Sequence, residues 1–164
     1  MKTQKKPSTK PVIEKSDSRK IKHLTRELTR EGQRLGMPLL DAAVAGAILG
    51  FRPTDMEMRR QAELAWETIR PQLSQHLVSE DDTLWPWAED SKRLSKEVMD
   101  RIKSQHQELR SLTRKLAGIS FEEDADAVVA PAGRALCVLA VKLDDLIDSE
   151  ETRLLPALRK ALFA

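Results

Sequence analysis

Apolar residues recur along this chain at spacings of three, four and seven, the period of helices with one buried face. Ile21, Leu24, Leu28 and Leu35 mark the first face, in a helix predicted to start near residues 16–18, where small polar side chains can cap it. Gly36 and Pro38 are expected to interrupt it, with a short apolar helical piece over residues 39–49 beyond. Thr54-Asp55-Met56-Glu57 reads as a capping box that opens a second helix. Its inner stripe is Ala65, Ile69, Leu73, Leu77 and Leu84, with a kink expected at Pro71 and an end or bend at Pro86. A third helix is predicted over residues 91–117, with Val98, Ile102, Leu109, Leu112 and Leu116 inward and Gly118 as its stop. Ser120-Phe121-Glu122-Glu123 reads as a second capping box. The fourth helix follows, bent at Pro131, with Leu136, Leu139, Leu143, Ile147 and Leu154 inward, and a short helix near residues 155–162 closes the chain. The predicted fold is all-α, an up-and-down four-helix bundle over residues 17–164. The interruptions leave an irregular bundle of five or six helices as the alternative.

Composition agrees with helix. Charged residues make up 33% and aromatics 4%, tyrosine is absent and glycines number only 6. The single cysteine, Cys137, has no internal partner for a disulfide, which suggests a reducing, cytoplasmic setting; it is expected to be a small buried helix residue. The longest apolar run, near residues 42–51, is too short to span a bilayer, so no membrane is expected. Lysine and arginine outnumber acids over residues 1–20, although the whole chain carries a net charge of only +2. Residues 1–16 are therefore expected to be a disordered basic tail on an acidic body, and nucleic acid is not an expected partner.

Polar residues intrude on the apolar stripes. His76 and Glu80 are one turn apart and in phase with Leu73, Leu77 and Leu84. His106 is in phase with Ile102 and Leu109, and Glu150 with Leu143, Ile147 and Leu154. Two imidazoles and two carboxylates thus converge from three helices. Burying carboxylates is costly unless they are paired, protonated or bound to metal, and this ligand set suits iron, manganese or zinc. The chain also repeats itself. Ser79-Glu80-Asp81-Asp82-Thr83-Leu84-Trp85-Pro86 matches Ser149-Glu150-Glu151-Thr152-Arg153-Leu154-Leu155-Pro156, seventy residues apart. A weaker match joins Glu31-Gly32-Gln33-Arg34-Leu35 to Gln105-His106-Gln107-Glu108-Leu109. The chain reads as two helical hairpins on one plan.

These motifs resemble the hemerythrin-like (HHE cation-binding) family. That family's pattern is His on the first helix, His-x-x-x-Glu on the second, His on the third and His-x-x-x-Glu on the fourth. Here His76 and Glu80 match the second-helix motif, His106 the third-helix position and Glu150 the fourth-helix Glu. Gly32 falls on the first-helix His position and Leu146 on the fourth-helix one, so two of the six usual ligands are replaced. The resemblance implies a non-haem di-iron site with two bridging carboxylates and a sensory, redox or iron-stress role, with O2 or NO as possible small ligands.

Three states of the site follow from these residues. One metal, iron or otherwise zinc or manganese, could be held by His76, Glu80, His106 and Glu150. The same residues could form a metal-free buried network. Two metals would need completion by Glu31, Asp145, Asp148 or Glu151, which the sequence does not rank. Leu146 reads as core repair. Gly32 opens space for water, a ligand or a neighbouring side chain. His23 lies too far from Gly32 along the helix to be a ligand. Trp85 and Trp87 are expected to plug the bundle end, and Arg110 to be solvated. With no nucleophile or phosphate loop in view, the chain is not expected to be an enzyme. The alternative function is a metal-free interaction or regulatory module on the same scaffold.

Overall fold

A computed structural model describes residues 15–163, and side chains from residue 18 onward. Among the described residues there is no strand. Four long helices carry the architecture: α1 (Lys15–Phe51), α2 (Met56–Ser79), α4 (Lys96–Leu116) and α5 (Asp126–Ser149). Two short ones, α3 (Trp85–Ser91) and α6 (Leu155–Phe163), extend α2 and α5 beyond single π-helical turns at Glu80–Leu84 and Glu150–Leu154. α1 packs mainly against α5 and α2, and α4 mainly against α5. The result is the expected four-helix bundle. The expected tail falls largely on residues 1–14, outside the described residues.

The apolar stripes line the core. Ile21, Leu24, Leu28, Leu35, Ile69, Leu73, Ile102, Leu109, Leu136, Leu139 and Leu143 are all buried. α1 and α5 approach closely where glycines meet: a Cβ at Gly46 would lie 2.5 Å from the Gly133 carbonyl oxygen.

Several expected boundaries move. α1 is continuous through Gly36 and Pro38. Proline keeps a helical φ and forfeits one backbone bond, and the burial of Leu35, Leu39 and Ala42 around it favours continuing. Gly36 keeps the helical backbone, and an added Cβ there would meet nothing within 4 Å. By length and composition α1 is also apolar enough over Ser18–Phe51 to cross a bilayer, with a window of mean hydropathy 1.4 that is 33% buried. The expectation that no segment is long enough is corrected to that extent.

The cap of α2 is Asp55 rather than Thr54, its carboxylate accepting from the Met58 N–H at 3.1 Å. α4 starts at Lys96 behind a Ser95 cap, not at Ser91, because Lys92 turns the chain in the left-handed region. Ser120 does accept from the Glu123 N–H at 3.2 Å, but this closes a turn, and α5 begins only at Asp126. Gly118 takes φ +74°, as expected for a helix stop.

Candidate metal centre

The S-E-x-x-x-L-x-P repeat is the structural key to the site. Both copies form a π-turn, in which Trp85 N–H bonds the Glu80 carbonyl and Leu155 N–H bonds the Glu150 carbonyl, five residues back. Pro86 and Pro156 follow at once, and neither has the N–H that would continue the ordinary ladder. The helix therefore changes register in the preceding turn without ending. Each π-turn begins at the buried glutamate of its helix, at the same level of the bundle.

His76, Glu80, His106 and Glu150 meet in the core, each with at most 6% of its surface exposed. One donor atom from each lies within 4.8 Å of all the others, and this is the group of three or more such residues found among the described side chains. His76 Nε2 lies 2.9 Å from Glu150 Oε1, and His106 Nε2 lies 3.1 Å from Glu80 Oε2. Trp85 sets its ring edge against His106, with centroids 5.8 Å apart. Trp85 and Trp87 are both buried plugs, as expected.

The polar atoms divide into two classes. His76 is fully satisfied: Nδ1 meets Glu31 Oε2 at 2.9 Å and Nε2 meets Glu150. By contrast, both carboxylate oxygens of Glu80 and both ring nitrogens of His106 are buried without a hydrogen-bond partner. The 3.1 Å contact between them lacks hydrogen-bond geometry. Buried polar atoms left in this way are costly and call for a bound group. A cation fits: N and O ligands at 2.0–2.2 Å from one ion lie about 3.3–3.6 Å apart in a tetrahedron and about 4.3 Å apart when opposed, so the widest separation here needs to close by about half an ångström to somewhat over one.

The charges respond to this crowding. Burial disfavours the imidazolium of His76, yet the Glu150 charge and the hydrogen bonds to Glu150 and Glu31 hold its pKa well above the ordinary 6.5. Burial opposes the His106 cation as well, but contact with Glu150 and Glu80 raises its pKa. Burial and the neighbouring Glu150 charge push Glu80 up. Burial would raise Glu150 too, but the His76 charge and the two imidazole contacts bring it below the usual carboxylate value. The raised pKa favours a protonated His76, whose two ring nitrogens would both donate to carboxylates. A cation held by the four residues would compete with that proton.

The four residues named from the sequence all reach the site. Among the unranked carboxylates the structure selects Glu31, while Asp145, Asp148 and Glu151 are exposed. Glu31 was legible in principle, since it continues the Leu24, Leu28, Leu35 face at helical spacing. Leu146 is fully buried, as core repair requires. The space beside Gly32 is taken: an added Cβ would lie 3.0 Å from both Ile147 Cγ2 and Glu151 Oε1. Of the three occupants considered, neighbouring side chains fill it. His23 is exposed and outside the cluster. Arg110 pairs at the surface with Asp81, both side chains well exposed, in keeping with a solvated arginine.

A family model, the hemerythrin HHE cation-binding domain, matches residues 26–158. The chain belongs to the hemerythrin HHE family. No curated protein and no solved structure gives a match. The matched span runs from α1 into α6 and includes both π-turns and all four clustered residues. Cation binding is thus the activity expected of this domain.

Proposed function

We propose that the chain binds a single non-haem metal ion, iron foremost, through His76, Glu80, His106 and Glu150, and serves as a sensor in redox or iron stress. The observation that carries this reading is the set of buried, unpartnered donor atoms on Glu80 and His106 facing His76 and Glu150. Two histidines and two carboxylates are enough for one ion but too few for two. The substitutions at Gly32 and Leu146 are consistent with that count, because neighbouring side chains and core packing occupy those positions.

Bound there, the ion would supply redox or Lewis-acid chemistry toward a small ligand such as O2 or NO. Access is supported from two sides. A cavity of about 420 Å³ between α1 and α2 reaches His76 and Glu31, and one of about 230 Å³ beside α4 reaches His106 and Trp85. Glu31 orients His76 by accepting its Nδ1 proton and directing Nε2 at the ion. This reading assigns the chain no catalytic turnover and a cytoplasmic setting.

A second reading is a metal-free interaction module, favoured by the complete hydrogen bonding of His76. Loading with Fe(II) under anaerobic conditions and measuring bound iron by elemental analysis separates the two. Retained iron supports the sensor, and none supports the module.

A further inference from the structure

The second half of α1 is apolar on all sides. Between residues 37 and 51 the only charge is Asp41, whose carboxylate accepts from Gln61 at 3.2 Å. Leu39, Ala42, Ala45 and Leu49 face the core. On the opposite side, Met37, Leu40, Val44 and Phe51 are 67%, 55%, 44% and 89% exposed, with Ile48 half-buried among them. At 100° per residue these five side chains lie within about 40° of Val44, in one straight stripe. A helix that is hydrophobic all round belongs in an interior, and no described residue covers this face.

The stripe has a symmetry that selects its partner. Leu40 and Ile48 lie four residues before and after Val44, and Met37 and Phe51 lie seven before and after. An antiparallel copy of the same helix, related by a two-fold axis at Val44, therefore sets Val44 on Val44, Leu40 on Ile48 and Met37 on Phe51. It places Asp41 opposite Ala47, so no like charges are opposed. Such self-complementarity is what an isologous dimer requires.

We propose that this chain forms a two-fold homodimer through the outer face of α1, with Val44 on the axis. The exposed stripe offers on the order of 500 Å² per copy, so the pair buries about 1,000 Å², where specific interfaces begin. Residues 1–14 are a poor alternative cover. They are rich in lysine, and Lys15 lies about 43 Å along the helix from Val44 at 1.5 Å per residue. The stripe is also about 20 Å from Glu31 by the same measure, so the dimer leaves the metal centre and its cavities open. This inference does not depend on the metal reading.

The test is sedimentation velocity and light scattering on the full chain from low to high micromolar. Wild type should dimerise with concentration. Val44→Glu sets two carboxylates against each other on the axis and should weaken the dimer at least about a hundredfold, with helix content and bound metal unchanged. In a Cys137→Ala background, Val44→Cys should be joined to its partner by a short bismaleimide, whereas Val138→Cys, exposed on α5, should not. A wild type monomeric at every concentration would overturn the proposal. So would a dimer that survives Val44→Glu. A monomer that sediments with phosphatidylcholine–phosphatidylglycerol vesicles would overturn it too, and would assign the face to a membrane surface.

Discussion

Glu31 on α1 holds the outer nitrogen of His76 on α2, with Oε2 2.9 Å from Nδ1. The contact joins two helices and settles which nitrogen of the imidazole points inward. A carboxylate behind a ligating histidine also raises its basicity, and losing such a partner typically weakens metal binding 10–100-fold. Glu31→Gln keeps an acceptor but removes the charge. It should weaken metal binding by about tenfold, with helix content by circular dichroism unchanged. Competition with a chelator of known affinity measures it, and wild-type affinity in this variant would remove Glu31 from the site.

The stability of metal-free protein and the affinity for metal should depend on pH in opposite directions. The raised pKa values of His76 and His106 contribute stability that is complete below the unfolded value of 6.5 and is lost as pH rises through the folded values. Glu80, also raised, begins to lose its contribution above 4.5. Glu150, lowered, contributes stability above 4.5 that is lost on acidification. Chelator-treated protein should therefore melt at lower temperature as pH climbs above 6.5. Metal must displace the His76 proton, so metal affinity should rise over that same range. The increase in Tm caused by metal should grow with pH, and calorimetry across the window checks it. An increase independent of pH would contradict the protonation scheme.

Leu146 fills a fully buried position one turn before Glu150. Leu146→His places an imidazole there without an established partner. In metal-free protein it should cost about 1–3 kcal/mol, the desolvation of a buried polar group. Added Fe(II) or Zn(II) should restore most of that loss in thermal unfolding, because the new nitrogen lies beside the ligand cluster. Equal destabilisation with and without metal would show that Leu146 does not border the ion.

Arg59 ties the far end of the bundle together. It is 5% exposed and donates to the Pro53 carbonyl at 2.6 Å, the Asp124 carbonyl at 2.7 Å and the Asp126 carboxylate at 2.5 Å. Arg59→Ala should cost about 2–4 kcal/mol through lost charge-assisted bonds and orphaned acceptors. Denaturant unfolding reads this loss, and metal content per folded chain should stay unchanged.

The helices were legible in the sequence because each buries an apolar face at 3.6-residue period, and the site because His76, Glu80, His106 and Glu150 stand on those faces. Local signals misled where tertiary packing outweighed them. Pro38 suggested a break, but burial of Leu35 and Leu39 carries α1 through. Ser120 looked like a helix cap and caps a turn, because Asp124 folds back onto the Ser120 N–H at 2.9 Å. The π-turns were visible only as a repeated acidic motif before proline, since a change of hydrogen-bond register leaves no period of its own. Glu31 stands on the Leu24, Leu28, Leu35 face, but its pairing with His76, 45 positions away, is set by how α1 meets α2.

Metal content per chain, measured by elemental analysis on wild type and on His76→Ala/His106→Ala after anaerobic Fe(II) loading, tests the single-ion site most directly. The site predicts close to one ion per wild-type chain and its loss in the double variant, together with the stabilisation that metal confers. No metal under any loading, two ions per chain, or the same content in both proteins would contradict it.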